Sequence, residues 1–180
     1  MAQVGFHTER TTVRDNMGTQ HPPGGGLGAE PPASLLTRSE VRMNNSIAEQ
    51  MVDFLNEWPD KPVRIQLGAL PKDAPGMMMR QLSGAVREKA FVDGSFVGRW
   101  PFAVFVRTGG GDARERLDAD GVLHALAGWL AGADMPDLGD GRAAVGIEMA
   151  QLPAIAAAFN SGVEDYMAVF SLKFSQSSSK

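Results

Sequence analysis

Ten residues, RWPFAVFVRT at 99–108, constrain the fold more than any other stretch of the chain. Side chains alternate across a strand, so Trp100, Phe102, Val104 and Val106 share one face, while Ala103, Phe105 and Arg107 share the other. Both faces are largely apolar, which predicts a strand at the centre of a sheet and covered on each side. Pro101 sits near its start, where a missing N–H is tolerated. The preceding residues, REKAFVDGSF at 87–96, read as the partner arm of a hairpin. Asp93-Gly94 is a tight-turn signal. The same pattern also allows a bulge at Gly94 with the turn at Val97-Gly98.

The rest of the chain supplies elements to pack against this strand. Thr37 and Glu40 have capping-box spacing, and Met43, Ile47, Met51, Phe54, Leu55 and Trp58 then recur at intervals of three and four. This predicts an amphipathic helix of about five turns that Pro59 stops. VRIQLG at 63–68 reads as a short strand, ALPKDAPG as a loop and MMMRQLSGAVRE at 77–88 as a second strand. The three methionines read as adaptable packing rather than as a soft-metal site. Ala119, Val122, Leu123, Leu126, Trp129 and Leu130 have the spacing of a second helix. RAAVGIEMAQL at 142–152 predicts a strand broken by Pro153, and AIAAAFNSG a linker or helical turn. DYMAVFSLKFS at 165–175 alternates most cleanly, with Tyr166, Ala168, Phe170, Leu172 and Phe174 on one face. The expected fold class is α+β: a small, mostly antiparallel sheet with two main helices packed on one face.

Residues 1–33 differ in character. HPPGGGLGAEPP at 21–32 cannot hold a helix or a ladder and has little to bury. The expected division is a flexible Pro/Gly-rich arm over 1–33, one domain over 34–175 and a polar tail over 176–180. The arm is either dispensable or ordered by a partner. A start placed too early, with Met17 or Met43 as the internal alternative, is a further reading.

Composition removes several classes of function. A chain of 180 residues is one domain with at most an appendage. Its net charge of −4 argues against a general nucleic-acid binder. With no cysteine there are no disulfides or thiolate metal sites. His7, His21 and His124 are too dispersed for a zinc site. The apolar runs at 125–133 and 152–159 are far shorter than the ~20 residues of a membrane span, and no secretory signal is expected.

No catalytic set emerges. TGGGDARER at 108–116 lacks the Lys-Ser/Thr of a P-loop and the third glycine of a dinucleotide fingerprint. Asp112 there fits a helix N-cap and would repel phosphate. His124 falls off the apolar stripe of its helix and reads as a surface residue. Asp134, Asp137 and Asp140 are spaced by three, where calcium loops space ligands by two, so the loop at 133–141 reads as a solvated turn. No serine lies in a GxSxG elbow. The residues alone describe an α+β domain that binds or assembles, with no enzyme activity and no cofactor or metal expected.

The order of segments resembles that of the tail terminator, or tail-completion, proteins of long-tailed bacteriophages, often labelled minor capsid protein. The similar pieces are the helix IAEQMVDFLNEW, the strand-turn VRIQLGALP, the hairpin segment QLSGAVREKAFVDGS and the strand PFAVFVRT. They continue with the helix end LHALAGWL, a short acidic Pro/Gly loop, a strand ending at Pro153 and a closing strand with Tyr166. The resemblance spans about residues 38–175. It implies a homo-oligomeric ring, usually a hexamer, that caps the tail tube and docks to a head-side connector. The implied partners are further copies of the chain, the tail tube protein and the connector or adaptor protein. DNA passes through without specific binding, and no membrane is involved. The implied location is the virion tail at the head–tail junction, after the host cytoplasm.

Within that resemblance, Arg87, Lys89, Phe91, Asp93, Ser95, Phe96 and Arg99 become candidates for contact with the next subunit or the tube. Asp134, Asp137 and Asp140 become candidates for a channel-facing acidic loop. The competing readings are another head–tail joining or tail-tube structural protein, and a small enzyme or nucleotide-binding domain built on TGGGD and His124.

Overall fold

The computed structural model describes residues 38–84, 86–110 and 112–178. The arm at 1–33, the Thr37 cap, the Met43 side chain and the last two residues of the tail lie outside the described set. Eight elements follow in order: α1 (Arg38–Leu55), β1 (Ile65–Leu67), β2 (Gly76–Gln81), β3 (Val86–Ala90), β4 (Phe96–Thr108), α2 (Ala113–Gly132), β5 (Arg142–Ala158) and β6 (Glu164–Gln176). The strands form one sheet in the order β1-β2-β4-β6-β5, with β3 also pairing β4. Only β1 and β2 are parallel. The fold is α+β.

The doubly apolar strand is central, as its composition requires. β4 pairs β6 over thirteen consecutive residues without a bulge. Its other edge carries β2 along 102–107 and β3 along 96–99. One face of the sheet is lined by Met77, Met79, Trp100, Phe102, Val104, Phe170 and Leu172, all buried with the inward residues of both helices. α1 contributes Ile47, Met51, Phe54 and Leu55, and α2 contributes Ala119, Leu123, Leu126 and Leu130. Phe102 stacks on Phe170 at 5.5 Å and Phe54 meets Trp129 at 5.0 Å, so the aromatic residues join strand to strand and helix to helix. The opposite face is covered differently. Met78, Ala103 and Phe105 are buried there beneath Leu70, Leu82 and Met167, with the Arg80 guanidinium over the Phe105 ring. Among the described residues, both helices belong to the first cluster.

Local chemistry sets the boundaries. Asn56 follows α1, donates to the carbonyls of Val52 and Ile65, and accepts from the Ile65 amide, so one side chain ties the helix end to β1. Asp112 caps α2 by accepting from the amides of Arg114 and Glu115, as expected.

Two strand expectations are corrected. Residues 77–88 hold two strands rather than one, because β2 ends at Gln81 and the chain passes through Gly84, whose φ of 106° side chains other than glycine resist, before β3 begins at Val86. Pro153 does not end β5, and residues 154–158 are strand rather than linker. β5 is an edge strand, and Pro153 lies where the register shifts between Gln151 and Ala154, so its missing N–H interrupts no regular pair. The turn into β6 comes later, closed by the Phe159 amide on the Val163 carbonyl. At the other end of β6, Gln176 belongs to the strand, and the Ser177 amide bonds Gly141.

Candidate functional site

The β3–β4 hairpin turns at Asp93-Gly94 and not at Val97-Gly98. The Phe91 amide donates to the Ser95 carbonyl, the Gly94 amide donates to the Phe91 carbonyl, and Gly94 has a φ of 85°. The Asp93 carboxylate accepts from the Ser95 amide at 3.0 Å and the Ser95 hydroxyl at 2.6 Å. These two bonds hold its carboxyl below the usual aspartate range. Gly98 lies within β4 for a packing reason: a Cβ there would stand 2.8 Å from the Phe174 ring.

The seven candidate contact residues therefore separate by role. Phe96 is buried and packs edge-on against Phe174 at 6.0 Å, so it belongs to the core. Asp93 and Ser95 build the turn. Arg99 pairs with Glu88 and, at 2.8 Å, with Glu148, joining β3, β4 and β5 across the sheet. Arg87, Lys89 and Phe91 remain outward. The Arg87 guanidinium covers the Phe96 ring at 4.3 Å, and the Lys89 ammonium lies 4.9 Å from the Phe91 ring centre. Phe91 is 43% exposed and its neighbour Val92 is fully exposed. Val92 is missing from the sequence-derived set. Its signal was its place immediately before Asp-Gly, at the tip of the turn.

The acidic loop is partly occupied with its own folding. Asp137 accepts from the Gly139 amide, and Asp140 pairs at 2.6 Å with the buried Arg142 side chain. Asp134 is exposed.

A second feature lies at the far end of β4. The Arg107 guanidinium makes a two-pronged bond to Asp165 at 2.7 and 2.8 Å and donates to the Pro71 carbonyl. Arg116 of α2 forks onto Glu164 in the same way. The hydrogen bonds to Asp165 and Glu164 raise both guanidinium groups above the usual arginine range. Burial pushes the Tyr166 hydroxyl up, and the adjacent Glu164 charge adds to the effect. Beside these ion pairs is a cleft of about 350 Å³. Pro62, Pro75, Val106 and Val122 give it apolar walls, Glu115 and Asp118 of α2 bring carboxylates to it, and the Asp165-paired Arg107 also lines it.

The Gly110 amide, which a phosphate would need, donates instead to the Glu115 carboxylate. His124 stands 3.6 Å from Asp120 on the solvent side of α2, with both side chains about half exposed. Among the described residues no cluster of three or more His, Asp or Glu is placed to hold a metal ion, and no helix is long and apolar enough to cross a membrane.

Sequence reasoning also missed the far half of β5. Residues 149–163 carry no charge, and Leu152, Ile155 and Phe159 are exposed along this edge.

No protein-family model matches the chain, and a search of curated proteins found no relative. A search of solved structures found a chain of the virion of a native gene transfer agent particle. The TM-score is 0.51 and the identity 14%, over 72% of this chain and 97% of that one. The likeness is one of fold.

Proposed function

We propose that this chain is a virion structural protein of a phage-type particle. It acts as a ring of identical subunits that caps the tail tube and joins it to the head-side connector. The observation that carries the reading is the fold shared with a gene transfer agent virion chain across 97% of that chain's length. The segment order set out above supports the finer assignment to a tail terminator. The proposed role is non-enzymatic: of the two features on which an enzyme reading would rest, the Gly110 amide donates to the Glu115 carboxylate, and His124 is half exposed on α2. In this reading the outward hairpin residues Arg87, Lys89 and Phe91 contact a neighbouring subunit or the tube. Asp134 and its loop face the channel, where negative charge keeps passing DNA from adhering.

Native mass measurement and negative-stain imaging of the full chain, alone and with tube protein, test the proposal. Closed particles of about six subunits are expected. A monomer that never joins purified tube ends counts decisively against it. Repeating the measurement without residues 1–33 shows whether the arm locks the ring.

A further inference from the structure

We infer that the cleft beside α2 receives the β3–β4 hairpin tip of a second copy of this chain. The inference rests on the ring reading and names the contact that would build the ring. Its first support is chemical. The cleft joins apolar walls (Pro62, Pro75, Val106 and Val122) to the carboxylates of Glu115 and Asp118; the Arg107 that also lines it has its charge met by Asp165, and Glu115 accepts from the Gly110 amide. The tip presents the matching set: exposed Phe91 and Val92, with the Lys89 ammonium beside the Phe91 ring. An apolar cavity with acidic residues suits a cation carried next to apolar groups. Its volume of about 350 Å³ is at the small end of the cavities that enclose compact ligands, a size suited to one or two side chains.

The second support is position. Tip and cleft lie at opposite ends of β4, whose thirteen residues span roughly 40 Å. They cannot meet within one chain. A knob at one end and a hole at the other make a head-to-tail contact, the type that generates rings when the rotation closes. The third support is order. The Asp93–Ser95 bonds and the hairpin hydrogen bonds fix the tip in advance, so docking costs little further ordering. Asp93, the one carboxylate in the turn, is directed back onto Ser95.

The natural absence of cysteine makes the test clean. The full chain is prepared as Val92→Cys, as Val122→Cys and as the double variant, then assembled and mildly oxidised. The double variant should give a ladder of disulfide-linked multimers up to the ring, and neither single variant should. Because no second protein is present, a ladder identifies a copy of this chain as the occupant. A charge exchange gives an independent reading. Lys89→Glu and Asp118→Lys should each raise the concentration for half-assembly by roughly tenfold or more, and combining them should restore it. Circular dichroism on each variant separates lost contact from lost folding, and rescue by the pair excludes a folding defect. Wild-type rings without a ladder, or without rescue, overturn the contact and leave the ring reading standing. A wild type that assembles neither alone nor on tube ends removes both.

Discussion

The two ends of β4 are built in opposite ways. At its start, the strand belongs to a hairpin whose outer arm, β3, pairs no other strand among the described residues, and whose tip places Phe91 and Val92 in solvent. Order there comes from a five-residue turn and from ion pairs of Arg99 that are themselves exposed. At its finish, Arg107 and Arg116 clamp β4 and α2 to Asp165 and Glu164, whose carboxylates are nearly buried, and a cleft opens beside them. The lesson is that one strand can support a projecting tip and a cleft by different means. The tip projects and is stabilised locally, by the Asp93–Ser95 bonds. The cleft end is braced by charge pairs that link β4 and α2 to β6.

The largest break in this contrast is expected at the braced end. Arg107→Ala leaves Asp165 nearly buried without its cation and removes the bond to Pro71, and should cost about 3 kcal/mol. Urea unfolding measures it, with Arg107→Lys recovering only part, because lysine lacks the two-pronged geometry. Gly98→Val comes next. Its added carbons meet the Phe174 ring, and overpacking of this kind costs roughly 1–3 kcal/mol. The loss should appear as faster amide exchange in 86–99, with residues 164–167 little changed.

A smaller and more local effect is expected from Asp93. Its carboxyl is lowered in the folded chain, so its contribution is fully present above the ordinary aspartate range and lost as pH falls through the lowered value. Faster exchange at the Ser95 amide in acid should follow, and Asp93→Asn should blunt that pH dependence. The smallest effect on stability belongs to Val92→Ser. A fully exposed side chain should change stability by no more than about 0.5 kcal/mol, yet the substitution should weaken assembly if the tip is the knob. A thermal melt and a light-scattering titration of the same sample measure the two quantities together.

Periodicity carried most of the fold. The alternation in 99–108 and 165–175 and the three-and-four spacing in both helices depend only on which side chains avoid water, and each of these elements is present. The errors fell where pairing, not pattern, decides. Pro153 is a strand breaker unless its N–H interrupts no regular pair, and only the place of β5 at the sheet edge supplies that exception. Gly84 marked a possible break, but that β2 and β3 take successive stretches of one edge of β4 is a fact about neighbours that no local window contains.

The candidate site divides along the same line. The chain's own order of residues narrowed the turn to Asp93-Gly94 or Val97-Gly98, since a tight turn depends on adjacent residues, and the hydrogen bonds between Phe91 and Ser95 decided for the first. It could not separate Phe96, which enters the core, from Phe91, which does not, because that distinction depends on Phe174 arriving from a strand some eighty residues later. The cleft was equally hidden. Its walls come from the loop before β1, the loop before β2, the end of β4 and the start of α2, segments that share no pattern. Short-range sterics and hydrophobic periodicity are written along the chain. Cavities and charge clamps arise from convergence, and only the tertiary structure decides where distant residues converge.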